Sequence, residues 1–206
     1  MAAPKRYHHG IETQRRLDRI MQWRNTSTGY GAVAKFLHWS IVILVVAQYV
    51  LAGLAEDLPR GAEKLELMAR HKSVGILVLL LALWRIGWKF GSRGLPPPVP
   101  MPRLQRLAAA AGHGLLYALI LVQPLTGWAT ASSGGSPVSF FGWFDLPALV
   151  AASEQAHETF EESHEFFAAA LFVVALLHAL AALYHHFWRK DDTLRRMLPF
   201  ARPRSP

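Results

Sequence analysis

Four long apolar runs constrain this chain more than any other feature of its sequence. A helix rises about 1.5 Å per residue, so about 20 apolar residues cross a hydrocarbon core of about 30 Å. The second run reaches that length only if Arg85 and Lys89 extend their charged ends to the membrane surface. With 52% hydrophobic and 17% charged residues, the chain has more apolar surface than one water-soluble core of this size can bury. The sequence therefore predicts an all-α integral membrane protein, a four-helix bundle. The four runs are Val33–Leu54, Ser73–Phe90, Leu107–Thr130 and Glu162–Trp188.

The positions of the 22 lysines and arginines predict the orientation of the helices. Seven lie at or before Lys35, five between Arg85 and Arg106, and six from Arg189 onward, whereas none lies from Leu107 to Trp188. Cytoplasmic segments of membrane proteins carry the excess of basic residues. The N-terminus, the connection between the second and third runs and the C-terminus are therefore predicted to be cytoplasmic. The basic residues of these cytoplasmic segments account for the net charge of +8. No nucleic-acid partner is therefore expected.

Three segments are predicted along the chain. Residues 1–28 form a polar, basic N-terminal extension, residues 29–199 form the helical membrane domain, and residues 200–206 form a C-terminal tail. The extension has no apolar core of the length found in signal peptides, so it is not expected to be a cleaved signal peptide. Its role cannot be read from its residues.

Ten histidines and no cysteine limit the cofactor chemistry of this chain. The absence of cysteine excludes disulfides, zinc–thiolate sites, iron–sulfur clusters and covalently attached haem. Ionisable residues inside a membrane are costly and typical of functional sites. Four histidines lie in or beside the apolar runs at two depths. His71 and His164 lie at the outer starts of the second and fourth runs, and His38 and His178 lie toward the cytoplasmic side.

The spacing of the two histidines in the fourth run is informative. His164 and His178 are 14 residues apart, which is within about 40° of whole helical turns, so both lie on one face about 21 Å apart. The directions of the helices then pair His164 with His71 and His178 with His38. Two imidazoles on facing helices are what a six-coordinate haem iron requires, and they add no net charge to the lipid. The sequence predicts two bis-histidine sites stacked across the membrane.

Other interpretations of these residues remain open at this stage. A single histidine in a membrane helix is commonly a hydrogen-bonded packing residue, and other metals are not excluded, although zinc would need further ligands. His113 with His185 is a rival ligand pair for the inner site, and His186 follows directly; near the surface we expect all three to be solvated or hydrogen-bonded. Gly75 and Gly127 allow close approach either of a flat cofactor or of a neighbouring helix.

Several motifs, in the order in which they occur, resemble the bacterial cytochrome b561 family. The resemblance covers roughly residues 28–199 and leaves residues 1–25 outside. Each motif alone is weak, but their order together with the 14-residue histidine spacing is specific. The motifs are YGAVAKFLHW at Tyr30–Trp39, HKSVG at His71–Gly75, GHGLLY at Gly112–Tyr117, PLTGW at Pro124–Trp128, HE at His164–Glu165, His178 itself and HHFWRKDDTLRRMLP at His185–Pro199.

The resemblance implies a membrane cytochrome with two b-type haems. It implies axial ligand pairs of His38 with His178 and of His71 with His164. It also implies electron transfer in a respiratory chain, from a one-electron donor such as superoxide or a redox protein to quinone. The chain is then an electron carrier or a quinone oxidoreductase, with superoxide:quinone oxidoreductase as one form of that activity.

Two alternatives to this function are kept. The first is a cytochrome b subunit that anchors a larger oxidoreductase, of the hydrogenase or formate dehydrogenase type. The second is a haem-free membrane transporter that uses histidine to carry protons. A reduced-minus-oxidised absorption spectrum distinguishes the haem-free transporter from the haem-containing proteins, because only a protein with b-type haem gives b-type bands.

A basic cluster near His71 suggests how an anionic donor is attracted. Arg60, Lys64 and Arg70 precede this histidine in the first outer loop, and a positive patch can steer a small anion such as superoxide. The opposing interpretation is that these charges pair with the acidic residues beside them. No quinone site is evident in the sequence.

Overall fold

Four long helices make up most of the described chain. The computed structural model describes residues 23–26, 29–92, 100–199 and 201. Each helix is long and apolar enough to cross a membrane. The predicted all-α integral membrane fold is confirmed, and the chain is a multi-pass membrane protein. Most of the predicted extension 1–28 and of the tail 200–206 lies outside the described residues. The helices are α1 Ala32–Glu56, α2 Ala62–Gly91, α3 Arg103–Ser133 and α4 Glu154–Phe187.

All four helices begin earlier than the apolar runs that predicted them, and the difference is largest for α2 and α4. α2 begins at Ala62 and α4 at Glu154, because residues such as glutamate continue a helix in water as readily as leucine does in lipid. His71 and His164, which the sequence placed at helix starts, instead follow Ala62 by nine residues and Glu154 by ten. Both imidazoles are therefore carried by backbone that is helical on either side.

Large apolar side chains are exposed along all four helices. Ile43, Leu83, Leu125 and Leu177 are examples, one from each helix. In water each such side chain would cost about 1.5–3 kcal/mol relative to burial, whereas hydrocarbon solvates it. These faces are therefore the lipid-facing surface. The few buried apolar side chains of the helices include Leu37, Ile76, Val78, Leu79, Leu119 and Leu171.

A short β-hairpin lies in the connection between α3 and α4. β1 (Val138–Phe140) pairs antiparallel with β2 (Phe144–Leu146), and the turn between them contains Gly142 at φ 75°, a conformation that glycine adopts without steric cost. The buried hydroxyl of Ser73 on α2 holds the hairpin, because it donates to the Ser139 carbonyl at 2.8 Å and accepts from the amide of the turn. The sequence indicated only a loop here.

The chain divides into two compact units, of which the larger comprises Trp39–Trp84 and Met101–Ala181. This unit contains parts of all four helices and the hairpin. The hydroxyl of Tyr49 on α1 donates to the Ala168 carbonyl on α4 at 2.7 Å, and the Tyr49 ring packs edge-to-face on Phe172. A polar contact between spanning helices satisfies the tyrosine hydroxyl where no water is present.

The smaller unit comprises the described residues of three segments, 1–38, 85–100 and 182–206. Here the guanidinium of Arg85 donates to the Ala34 carbonyl at 2.9 Å, which connects the end of α2 to the start of α1. The sequence predicted that Arg85 extends its charged end to the membrane surface, and in the structure that end has a backbone partner.

Candidate functional site

Two of the four predicted ligands lie together in the larger unit. The ring centres of His71 on α2 and His164 on α4 are 6.2 Å apart, and the ring planes cross at 83°. With metal–nitrogen bonds of about 2.0–2.1 Å, as zinc–histidine bonds have, two imidazoles on opposite sides of one metal have ring centres roughly 6 Å apart. The observed separation therefore leaves room for one metal ion between the two rings.

The imidazole of His164 is held in one tautomer by α3. Its Nδ1 lies 3.1 Å from the Gln123 carbonyl oxygen and 3.2 Å from Oγ1 of Thr126. Because a carbonyl only accepts, Nδ1 carries the proton, and Nε2 presents a lone pair. The side-chain amide of Gln123 donates to that lone pair at 3.3 Å. In metal-bound histidines one ring nitrogen likewise donates to a carbonyl, and a metal at Nε2 would take the place of the Gln123 amide.

The imidazole of His71 lacks the hydrogen bond that His164 has. Its Nδ1 is buried and has no hydrogen-bond partner among the described residues, while its backbone carbonyl accepts from the amide of Gln48 at 3.0 Å. A buried polar nitrogen without a partner is uncommon and is typical of a side chain that binds a group such as water or an ion. The donor chemistry of this pair fits a haem iron, which needs two axial nitrogens and no negatively charged ligand.

A conventional multi-ligand metal site has no counterpart in the described part of the chain. No three or more histidine, cysteine, aspartate or glutamate side chains are grouped there so as to hold a metal ion. Structural zinc sites require four such ligands, whereas an iron in a porphyrin requires only two from the protein. The histidine pair is therefore better suited to a porphyrin iron than to a bare cation.

Two glycines, one on α3 and one directly after it, make room for histidines of α4. A Cβ at Gly127 would lie 2.8 Å from Cε1 of His164, and one at Gly134 would lie 2.9 Å from Nδ1 of His157. The two histidines are seven residues apart on α4, and the two glycines are seven residues apart on the antiparallel segment, with Gly134 following the last residue of α3. The structure shows the close approach of α4 at Gly127, and room there for a flat cofactor stays a prediction.

His178 contacts a histidine of α3 and not a glycine. His178 lies 14 residues after His164 on α4, and His113 lies 14 residues before Gly127 on α3. The ring centres of His178 and His113 are 5.1 Å apart, and their planes cross at 69°. That separation is shorter than the roughly 6 Å needed across a shared metal, so this is a packing contact. The contact between His113 and His178 was not predicted from the sequence, although the seven-residue spacing on both helices is visible there.

The remaining predicted inner residues lie in the smaller unit. His38 is half-buried on α1. His185 hydrogen-bonds through Nδ1 to Oδ2 of Asp191 at 2.6 Å. Burial alone would raise the pKa of Asp191, but hydrogen bonds from His185 and Thr193 outweigh it and lower that pKa below its usual value. Pairing of His38 with His178, and the rival pairing of His113 with His185, both stay predictions.

Two of the three basic residues proposed to steer an anion have partners. Arg70 forms an ion pair with Glu66 on the exposed face of α2, and Lys64 donates to the Leu58 carbonyl at 3.3 Å. Arg60 is exposed. Lys72, which follows His71 directly, donates to the hairpin connection at Ser136 and Pro137. Steering by this cluster stays a prediction.

Comparison with known proteins identifies close relatives over nearly the whole chain. Residues 29–200 match the family described as prokaryotic cytochrome b561. Cytochrome b561 homolog 2 of Escherichia coli (strain K12) is 35% identical over 187 residues, covering 86% of this chain and 95% of that protein. A protein of Yersinia pestis named probable superoxide oxidase is 33% identical over 171 residues, covering 82% and 96%. Cytochrome b562 of Cereibacter sphaeroides is 32% identical over 184 residues, covering 85% and 97%.

Proposed function

The chain belongs to the prokaryotic cytochrome b561 family, a family of b-haem membrane proteins with an electron-transfer role, and we propose that it carries single electrons across the bacterial inner membrane through two b-type haems. Electrons enter from a one-electron donor at the outer face and leave to quinone, with both chain termini in the cytoplasm. The observation that carries this proposal is the 6.2 Å separation of the His71 and His164 rings.

The outer haem is assigned to His71 and His164. Support comes from the ring separation, from the protonated Nδ1 of His164, which leaves Nε2 as a lone-pair donor, and from the buried, unpartnered Nδ1 of His71 in the part of the chain that the structure describes. The first imidazole is carried by α2 and the second by α4. A haem held there supplies one-electron redox chemistry, while the protein tunes it through axial ligands, hydrogen bonds and burial.

The inner haem is assigned to His38 and His178. Support comes from the 14-residue spacing of His164 and His178 on one face of α4, which sets the two levels about 21 Å apart along the helix. The contact of His178 with His113 places a second imidazole beside this ligand. We assign His113 to packing because its ring is too close to share a metal with His178.

Superoxide is the electron donor to be tested first. The Yersinia pestis relative is named probable superoxide oxidase, and before His71 Arg60 lies in the connection between α1 and α2 and Lys64 in the first turn of α2. A one-electron donor suits haem iron, which changes its charge by one. The chain then acts as a superoxide:quinone oxidoreductase, with membrane quinone as the acceptor.

The test is electron transfer in the purified protein reconstituted into quinone-containing liposomes. Superoxide generated outside is expected to reduce the haem, as shown by b-type bands in the reduced-minus-oxidised spectrum, and to convert quinone to quinol. The matched control is liposomes without quinone, in which the haem should stay reduced. Absence of b-type bands would reject the haem assignment, and b-type bands without superoxide-driven reduction would reject only the donor.

A further inference from the structure

We infer that Thr126 is a positioning residue for His164, which holds this imidazole as the tautomer with its Nε2 lone pair available to a metal. The inference rests on the proposed function, because it concerns the group that His71 and His164 are proposed to hold. The evidence is a group of hydrogen bonds that links the Thr126 hydroxyl, the Gln123 carbonyl and Nδ1 of His164. The next turns of α3 do not have the complete group.

The Thr126 hydroxyl has two roles in this set. It donates its single proton to the Gln123 carbonyl at 2.9 Å, and its oxygen lies 3.2 Å from Nδ1 of His164. Because the Gln123 carbonyl requires the proton on Nδ1, the Thr126 oxygen faces Nδ1–H as a second acceptor. Nδ1–H therefore has two acceptors, the Gln123 carbonyl and the Thr126 hydroxyl, and the other tautomer would place the Nδ1 lone pair against the carbonyl oxygen.

The adjacent glycine gives the imidazole room to lie against α3. The ring lies directly against the backbone of Gly127, where a Cβ would approach Cε1 to 2.8 Å and Nδ1 to 3.1 Å. The Gln123 carbonyl sets which nitrogen is protonated, and the Thr126 hydroxyl adds a second acceptor for that proton. Together they leave the lone pair on Nε2, where a metal would take the place of the Gln123 side-chain amide.

A similar set one heptad away shows what is particular to Thr126. Ser133 precedes Gly134 as Thr126 precedes Gly127, and its hydroxyl contacts the Thr130 carbonyl at 3.1 Å, to which Nδ1 of His157 is bonded at 3.0 Å. The Ser133 hydroxyl also donates to Ala129 at 2.8 Å and has no bond to His157 among those of the described residues. The hydroxyl-to-imidazole contact therefore occurs at His164, where the proposed ligand is.

The inference predicts what Thr126→Val does to ligand exchange at the outer haem. Valine has nearly the same shape but cannot accept from Nδ1–H, so His164 should dissociate from the iron more readily. Reduced bis-histidine haem binds carbon monoxide only after a ligand leaves. The apparent affinity for carbon monoxide should rise about fivefold, which corresponds to one lost hydrogen bond of about 1 kcal/mol at 25 °C, at no more than one of the two haems.

Thr130→Val is the matched control, because the Thr130 hydroxyl only donates to the Thr126 carbonyl within the helix at 2.9 Å. It should behave as the wild type does. If Thr126→Val loses the outer haem outright, Thr126→Ser must retain it, because serine keeps the hydroxyl. The inference is overturned if Thr126→Val matches Thr130→Val in carbon monoxide binding, or if Thr126→Ser loses the haem as valine does. A wild type without two low-spin haems would instead overturn the proposed function.

Discussion

Replacing Gly127 by alanine tests how closely α3 must approach the outer histidine. The added Cβ would lie 2.8 Å from Cε1, 3.1 Å from Nδ1 and 3.4 Å from Nε2 of His164. The first distance is shorter than real carbon contacts, and the atom that must yield belongs to a ring held at Nδ1 by the Gln123 carbonyl. The imidazole has to move away from α3, and the predicted axial bond moves with it.

The magnitude follows from the overpacking at His164. Overpacking a fitted interior costs about 1–3 kcal/mol, whereas the preference of alanine over glycine in a helix, about 1 kcal/mol, applies equally with and without haem and cancels. Moving the imidazole therefore costs the haem-bound state about 1–3 kcal/mol, which is roughly 5- to 160-fold in the occupancy ratio of the outer site. The assay is the haem-to-protein ratio of purified protein, together with the low-spin b-type absorption bands.

Gly114→Ala is the matched control on the same helix. A Cβ at Gly114 meets nothing within 4 Å among the described residues, so this variant gains the helix-propensity term without a clash. It should keep the full haem content and be at least as stable as the wild type. The reasoning is refuted if Gly127→Ala and Gly114→Ala have the same haem content and the same spectra.

Three further predictions follow from other parts of the molecule. His178→Ala should lose one haem while His113→Ala keeps both, because a ring 5.1 Å away packs on a ligand but shares no metal; equal haem loss in the two variants would show that the assignment of the inner ligands is wrong. Replacing Arg60 and Lys64 by glutamine should slow superoxide-driven haem reduction and weaken its dependence on ionic strength, and an unchanged rate and salt dependence would remove steering by this cluster. Asp191 has a pKa below its usual value in the folded chain, so its ionised form stabilises the fold above the unfolded pKa of about 3.9 and that stabilisation is lost as the pH falls through the folded pKa. The difference in thermal stability between the wild type and Asp191→Asn should therefore be constant near neutral pH and shrink below about pH 4; a difference that persists in acid would contradict the role of the carboxylate.

Properties with a regular period could be predicted from the sequence. The four spans followed from apolar run length. The co-facial positions of His164 and His178 followed from 3.6 residues per turn. The adjacency of His71 and His164 followed once helix direction was set by charge. These predictions need only the geometry of single helices and the order in which they cross the membrane.

Contacts that depend on the register between two helices could not be predicted in the same way. The approach of His164 to Gly127 and the contact of His178 with His113 require the axial offset of α3 against α4, which no local propensity encodes. A usable signal was present, because histidine and glycine positions repeat at seven residues on antiparallel neighbours. The hairpin is a similar case, since the Ser73 hydroxyl that holds it lies more than 60 residues away along the chain.

The most direct measurement is the haem-to-protein ratio of His71→Ala, His164→Ala and the double variant, each compared with the wild type. If the two imidazoles share one iron, all three variants should contain one haem per chain where the wild type contains two, and the double variant should lose no more than either single one. A double variant that loses both haems, or a single variant that keeps both, would contradict a shared iron between α2 and α4.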